Sequence, residues 1–309
     1  MKHIVRMALV ALAIPAVNFA LVNPAEAAAQ ETLSQSYRES RRDDVAYQKI
    51  EPIKAFDNLY YVAPGFVSVW LLVTSEGLIL IDSAQEPYVD HVIDNIRKAG
   101  FDPKNIKYIM ITHGHLDHFG GAARIQELSG ARVMAVAEDW DLIEQAGSRP
   151  GRNGAPAPRV PKRDTVVKEG DFLTLGNTSL KLHQTPGHTP GVMSAEFTVF
   201  ENGIPYKAFL HGGAGARDGL AGAQQAVATA ARVANIVDIE VGVMVHSWME
   251  TNTYPNGSIF ERAERLKNRK PGEENPFVDP RSWVRWRNAA SINAAKTLAA
   301  EQAKAAAPK

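Results

Sequence analysis

The fold of this chain is decided by Thr112-His113-Gly114-His115-Leu116-Asp117-His118, a stretch that follows a short apolar segment and precedes one with helical periodicity. His113 and His115 lie two residues apart in an extended segment, so their side chains project to the same side. Asp117 and His118 fall in the first turn of the predicted helix. Neutral imidazoles and carboxylates are suitable zinc ligands. The stretch therefore predicts metal binding at the end of a strand.

Two further segments supply histidines at strand ends. Thr185-Pro186-Gly187-His188-Thr189-Pro190-Gly191 is a turn in which proline and glycine fix the direction of the His188 side chain. His246 ends the apolar run Val241–Val245. Five of the nine histidines of the chain fall in these three segments, a grouping that favours one shared site over chance.

Together these segments resemble the metallo-β-lactamase superfamily, whose signature is a His-x-His-x-Asp-His loop followed by a later Gly-His-Thr turn. The resemblance runs from Asn58 to about Trp283 and includes Glu76–Asp82, in which Asp82 matches the aspartate that supports the metal loop. It implies an α/β fold, the αββα sandwich in which helices flank two packed β-sheets.

The resemblance also implies two Zn²⁺ ions per chain. The first would be bound by His113, His115 and His188, and the second by Asp117, His118 and His246. Asp117 would be catalytic as well, because it would orient the attacking hydroxide and relay a proton to the leaving group.

The chain departs from the family pattern after its later strand. Most members carry an aspartate there that bridges the two metals, whereas Phe209–Gly215 contains no carboxylate. This is similar to the third subclass of class B β-lactamases, although that subclass commonly binds the substrate carboxylate with two serines, and Gly213 and Gly215 stand in their place. His211 is left open between a residue that lines the site and one that packs behind it.

The function expected from this resemblance is a secreted zinc hydrolase that opens a cyclic amide, most simply a β-lactamase. A lactonase, for example one that hydrolyses acyl-homoserine lactones, or another ester hydrolase is the alternative. A non-catalytic zinc-binding periplasmic protein is a third hypothesis. An iron redox protein of the same superfamily would normally need a flavin domain, for which this chain offers no segment.

The first 27 residues predict a secretory signal. A basic start precedes the apolar run Met7–Val22, and Ala25-Glu26-Ala27 fits a signal peptidase site. We therefore expect one domain over residues 28–309, with a helical extension from about residue 280, in the periplasm or outside the cell, without a membrane span after cleavage. A membrane anchor is the alternative for the same segment. Without cysteine, the chain must bind metal through His, Asp or Glu.

Composition and periodicity complete the expectations. Basic and acidic residues both number 34, so nothing favours nucleic acid, and we expect a small-molecule substrate, a β-lactam or a lactone. The oligomeric state is not predicted.

We expect a mobile lead over residues 30–44, one helix over residues 116–128, and a loop over residues 147–163 that could overhang the site. His91 is expected at the surface, and His183 is expected to be structural.

Overall fold

The computed structural model describes residues 31–151, 154–217, 219–246 and 257–307. The predicted signal segment, residues 1–27, lies outside them, so its role stays a prediction.

The described strands form two sheets. The first has the order β1-β2-β3-β4-β5-β6-β7. Its strands are β1 (Ile53–Lys54), β2 (Leu59–Tyr61), β3 (Trp70–Thr74), β4 (Gly77–Ile81), β5 (Ile106–Met110), β6 (Arg132–Val136) and β7 (Thr165–Val167).

The direction of pairing changes within this sheet. Strands β1 to β4 pair antiparallel, and β4 to β7 pair parallel because helices connect them. The apolar run Leu78–Ile81 is fully buried, which suits a strand covered on both faces.

The second sheet has the order β12-β11-β10-β9-β8 and is antiparallel except for the parallel pair β11 and β12. Its strands are β8 (Phe172–Leu175), β9 (Thr178–Gln184), β10 (Met193–Glu201), β11 (Ile204–His211) and β12 (Val241–Met244). Alternating burial along β9 places Leu180 and Leu182 in the core and Ser179 and Lys181 outside.

Helices cover the outer faces of the sheets. They are α1 (Leu33–Arg38), α2 (Val45–Gln48), α3 (Val89–Lys98), α4 (Leu116–Phe119), α5 (Ala122–Ser129), α6 (Ala137–Gly147), α7 (Gly219–Val233), α8 (Ile259–Lys267) and α9 (Pro280–Ala306). A 3-10 turn, Pro103–Asn105, precedes β5. Helix α9 begins with Asp279 as its N-cap and Pro280 in its first turn. Trp283 and Trp286 are buried and lie on the side of α9 that faces the core.

The two sheets are joined close to the strand ends that carry the histidines. The indole Nε1 of Trp70 donates to the Met244 carbonyl at 3.0 Å, and the Ser68 amide donates to the Val245 carbonyl at 2.9 Å. The Met193 amide donates to the Thr112 carbonyl at 2.7 Å. The predicted sandwich of two sheets flanked by helices is confirmed, and these bonds fix the mutual position of its two halves near the site.

The helix expected over residues 116–128 is divided into α4 and α5. Gly120 and Gly121 separate them, and the Gly121 amide donates to the Ala84 carbonyl at 3.0 Å. A Cβ atom on Gly121 would lie 2.3 Å from the Ser83 carbonyl oxygen, so the chain passes too close to the loop after β4 for any larger residue. The short α4 therefore presents Asp117 and His118 on a rigid turn of its own.

Two other expectations were wrong. The described part of the lead is ordered, because Thr32 caps α1 with a capping box and Tyr37 packs its ring against Phe260 at a centroid distance of 4.7 Å. His91 is buried, because its position on α3 faces the core and its Nε2 pairs with the Asn95 amide at 3.1 Å. Charged neighbours along the sequence lie on the other side of that helix.

Candidate metal centre and active site

The residues predicted as ligands come from four separate segments and meet at one edge of the sandwich. His113 and His115 lie in the loop after β5, and Asp117 and His118 lie in α4. Parallel strands bring their carboxyl ends to the same edge of a sheet, and the end of β5 lies beside the end of β4 for that reason. Their partners are His188, in the turn between β9 and β10, and His246, directly after β12.

The first group consists of His113, His115 and His188, whose candidate ligand atoms all lie within 4.8 Å of one another. His188 Nε2 is 3.1 Å from His115 Nδ1. The Nε2 atom of His113 is buried and has no hydrogen-bond partner among the described residues. A buried imidazole nitrogen without a partner is costly unless a ligand or an ion satisfies it.

The second group consists of Asp117, His118 and His246, with the same spacing. The Nε2 atoms of His118 and His246 are 3.2 Å apart. Asp117 Oδ2 is 3.7 Å from the first of these nitrogens and 3.8 Å from the second. The structure thus brings together all six predicted residues in the two predicted triplets.

Neighbouring acceptors fix the tautomers of the histidines. The Nδ1 atom of His113 donates to the Gly212 carbonyl at 2.8 Å, that of His118 to Asp82 Oδ2 at 2.7 Å, and that of His246 to the Phe66 carbonyl at 3.1 Å. Each Nε2 therefore presents a lone pair toward the centre of the site.

These lone pairs fit a metal ion. Two of them face each other at 3.2 Å between His118 and His246, an arrangement that is repulsive without a cation between them. Two nitrogens bound to one tetrahedral zinc at its usual bond length lie about 3.3 Å apart. The spacing, the tautomers and the thiolate-free set of donors all suit zinc.

Asp82 supports this centre from behind. It is fully buried and accepts three hydrogen bonds, from the amide and the hydroxyl of Thr112, both at 2.8 Å, and from His118. Its φ of 62° places it in the left-handed region at the end of β4, a strained conformation for a residue with a side chain. The three bonds hold it there and orient the His118 ring.

Asp139 in α6 is a buried aspartate that the sequence did not reveal. Its Oδ2 accepts from the Gly114 amide at 2.8 Å and from the Thr189 hydroxyl at 2.6 Å, and its Oδ1 accepts from the Gly191 amide at 2.9 Å. One carboxylate thus ties the His113 loop to the His188 turn. Acidic residues are ordinary in the first turn of a helix, so nothing in the sequence marks this one.

The charge states at neutral pH suit metal binding. Burial and the neighbouring histidines hold the pKa of His113 well below its usual range. Burial, aided by His115 and Arg217, lowers the pKa of His188 to about 3, and burial together with His118 lowers that of His246 to about 4. These imidazoles are therefore neutral, as ligands must be.

The pKa values of Asp117 and His118 shift in the opposite direction to the one that burial alone would produce. Burial acts to raise the pKa of Asp117, but His118 and His246 outweigh it, so the pKa is lowered. Burial acts to lower the pKa of His118, but Asp117 and Asp82 outweigh it and the pKa is raised. In the metal-free protein His118 thus holds a proton more tightly than the other histidines of the site whose pKa is lowered. The positive charge of that proton lies where a metal cation would bind.

A cavity of about 550 Å³ opens beside His188 and Gly213 and runs between α7 and α9. This volume accommodates a small organic molecule. His211 lies in its wall, and Arg38 and Arg287 lie among its polar lining residues. Helix α9, which the sequence did not assign to the site, supplies a wall of the cavity.

The glycines beside the centre lie where the chain has no room for a side chain, at Gly212, or little room, at Gly213. A Cβ atom on Gly212 would be 1.8 Å from the Met193 carbonyl oxygen, and one on Gly213 would be 3.3 Å from the Cβ atom of His188. Gly212 also supplies the carbonyl that orients His113. Close backbone approach explains the glycines at this strand end.

Ion pairs connect the loop over residues 147–163 to two neighbouring helices. Arg159 pairs with Glu127, and Arg163 pairs with Asp141 at 2.9 Å and with Glu144 at 3.3 Å. These ion pairs fasten the loop to α5 and α6. No residue of the loop, within the part that the structure describes, lines the cavity. Arg159 and Arg163 are therefore held by acidic side chains of these helices and do not line the cavity.

Comparison with known proteins agrees with the fold. A sequence model described as the metallo-beta-lactamase superfamily matches residues 62–198. The structure is similar to BJP-1, a subclass B3 metallo-beta-lactamase of Bradyrhizobium japonicum, at 31% identity and a TM-score of 0.69 over 84% of this chain and 97% of that one. It is also similar to the native FEZ-1 metallo-beta-lactamase from Legionella gormanii, at 25% identity and a TM-score of 0.73 over 82% of this chain and 98% of that one.

Curated relatives match over shorter stretches. The hydroxyacylglutathione hydrolase of Maricaulis maris is 33% identical over 105 residues, which are 34% of this chain and 33% of the relative. The probable metallo-hydrolase YybB of Bacillus subtilis is 29% identical over 125 residues, 40% of this chain and 54% of the relative. The chain thus spans a third to about half of the length of these relatives.

The chain belongs to the metallo-β-lactamase superfamily. This is a family of metallo-hydrolases, and the structural neighbours of the chain include enzymes of subclass B3. Among the helices that the structure describes, none has both the length and the apolar character needed to cross a membrane.

Proposed function

We propose that the centre binds two zinc ions, the first through His113, His115 and His188 and the second through Asp117, His118 and His246. The observation that carries the proposal is the pair of converging triplets, in which the Nδ1 atoms of His113, His118 and His246 are bonded to protein acceptors and their Nε2 lone pairs face inward. When bound, zinc in such a site supplies a nucleophile from water at neutral pH and polarises the substrate carbonyl.

Asp117 is the proposed catalytic residue. Its carboxylate is ionised at neutral pH and lies within 4 Å of two imidazoles, with a quarter of the side chain exposed to solvent. From this position it can orient the attacking water and then carry a proton to the leaving group. Asp82 and Asp139 do not meet the substrate and act by positioning the ligands.

The proposed reaction is the opening of a cyclic amide, and the proposed substrate is a β-lactam. The similarity to BJP-1 over nearly the whole of that enzyme supports it, as does a cavity of about 550 Å³ beside the centre. Gly213 and Gly215 offer no hydroxyl to a substrate carboxylate, so Arg38 and Arg287 in the cavity lining are proposed to attract it.

Lactone or other ester hydrolysis is the second candidate. A lactone presents the same carbonyl chemistry to the centre, and the similarity to a hydroxyacylglutathione hydrolase favours an ester-type substrate. The absence of the usual serines also favours a substrate other than a lactam.

The test uses zinc-loaded protein with a chromogenic cephalosporin, a carbapenem, an acyl-homoserine lactone and a hydroxyacylglutathione, each with and without chelator. Lactam turnover that chelator abolishes would support the proposal. Turnover of only the lactone or the hydroxyacylglutathione would keep the metal centre and replace the substrate. Metal content is measured in the same samples, and fewer than two zinc ions per chain at saturation would contradict the two-site assignment.

We propose further that the protein is exported to the periplasm and that the mature chain begins at Ala28 or close to it. The basic start, the apolar run and the Ala-x-Ala site occur in the order of a secretory signal. Intact-mass measurement of periplasmic protein tests this, and a mass that includes Met1 would contradict cleavage.

A further inference from the structure

His211 is a buried histidine in the cavity wall that neither metal group uses. It is 4% exposed, lies at the end of β11 and faces the cavity beside Gly213. Its ring lies 4.3 Å from the ring of Trp286, which comes from α9 and also lines the cavity. The imidazole therefore packs against Trp286 and borders the cavity.

The hydrogen bonds of His211 define its tautomer. The Gly213 amide donates to Nδ1 at 3.4 Å, so Nδ1 carries the lone pair and the proton is on Nε2. Among the residues that the structure describes, no acceptor is found for this Nε2–H. Burial lowers the pKa of His211 to about 3, so the ring is a neutral donor at neutral pH. A histidine that is buried by packing alone usually has its ring nitrogens hydrogen-bonded to protein or to ordered water.

The lining of the cavity is mixed. Small apolar side chains from α7 and α9 suit an apolar group of modest width, namely Ala226, Ala230, Val233, Ala290 and Ala294. Thr229, Asn293 and Thr297 add polar groups to the same two helices, and none of these three bonds to His211. A bound molecule with an acceptor oxygen and an apolar part therefore fits the space beside His211.

We propose that His211 is a substrate-binding residue whose Nε2–H donates to a carbonyl or carboxylate oxygen of an acyl compound, the apolar part of which lies between α7 and α9. This inference rests on the proposed hydrolase function and adds the substrate class, an acylated lactam or ester whose acyl group enters the cavity. It also gives Trp286 a role, since its ring holds the imidazole in place.

Two substitutions separate hydrogen bonding from packing. His211→Phe keeps an aromatic ring against Trp286 and removes the donor, whereas His211→Gln places an amide N–H near the position of Nε2. In zinc-loaded protein, the KM for whichever of the chromogenic cephalosporin and the acyl-homoserine lactone is turned over should rise roughly 3- to 10-fold in the Phe variant, with little change in kcat. The Gln variant should recover part of the loss, and the zinc content should be the same in all three proteins.

A second readout does not depend on turnover. In ¹⁵N-histidine-labelled, zinc-loaded protein, the His211 signals are those missing from the Phe variant. They should show a protonated Nε2 and an unprotonated Nδ1, and Nε2 should shift when hydrolysed cephalosporin or the acyl-homoserine lactone is added. A protonated Nδ1 would overturn the proposal. Binding of each compound with the same affinity by wild type and by the Phe variant would also overturn it, as would the absence of binding to both proteins. Loss of turnover in wild type with the Nε2 shift retained would instead count against the hydrolase function alone.

Discussion

Asp139→Asn tests whether one buried carboxylate holds the two metal-binding segments together. In the native protein Oδ1 accepts from the Gly191 amide, and Oδ2 accepts from the Gly114 amide and the Thr189 hydroxyl. An asparagine has a single carbonyl oxygen, so in either orientation its NH₂ group faces one of the two backbone N–H groups. That N–H is then buried without an acceptor, and the remaining bonds lose the charge on their acceptor.

The cost follows from these lost bonds. A buried donor left unsatisfied costs about 1–3 kcal/mol. For a domain of this size, that loss lowers Tm by roughly 2–8 °C. Since the displaced segments carry His113, His115 and His188, metal affinity of the first site should fall about 10- to 100-fold, as is usual when a group that orients ligands is changed.

The assay is a thermal melt with and without chelator, combined with a competitive zinc titration. Asp141→Asn is the matched control, because Asp141 lies two residues away on α6 and its ion pair with Arg163 is exposed. Exposed pairs contribute about 0–1 kcal/mol, so this control should leave zinc affinity unchanged. If Asp139→Asn kept both its Tm and its zinc affinity within the range of the control, the positioning role of Asp139 would be refuted.

Three further predictions concern the centre itself. Asp117→Asn should fold but lose most turnover at matched metal loading, because the amide keeps the shape and removes the charge; near-wild-type turnover would remove its catalytic role. His246→Ala should bind about one zinc ion fewer per chain in metal analysis, because it deletes one of three proposed ligands of the second ion. In chelator-treated protein, the free energy of unfolding should fall as the pH is lowered from about 6.5 toward 4. His188 and His246 have pKa values of about 3 and about 4 in the folded protein, so the unfolded state binds protons first as the pH falls and is thereby favoured. The raised pKa of His118 acts in the opposite direction. Urea titrations that gave the same free energy of unfolding across this pH range would contradict the prediction.

The ligands could be predicted from the sequence because each lies in a segment whose local chemistry is distinctive. The His113 stretch concentrates donors within one loop, and the His188 turn is fixed by proline and glycine. His246 was harder, since a histidine at a strand end is common, and only the completed set of residues indicated its role. The two-sheet sandwich followed from the same resemblance.

What could not be predicted depends on contacts between distant segments. Asp139 and Gly191 are far apart in sequence, and their bond exists only after the two sheets have packed. The cavity exists because α9 packs against α7, a pairing that the Ala-rich sequence of α9 does not specify. The burial of His91 likewise depends on which face of α3 meets the core.

The packing of Gly212 and Gly213 restricts which changes the chain could undergo in evolution. A carboxylate introduced at Gly212 would push its Cβ into the Met193 carbonyl, 1.8 Å away, and one at Gly213 would press on His188. A single codon change at Gly212 could therefore not add the bridging aspartate that most members of the superfamily carry without moving β10. In a lineage with this backbone, such an aspartate would need a compensating change in the neighbouring strand as well.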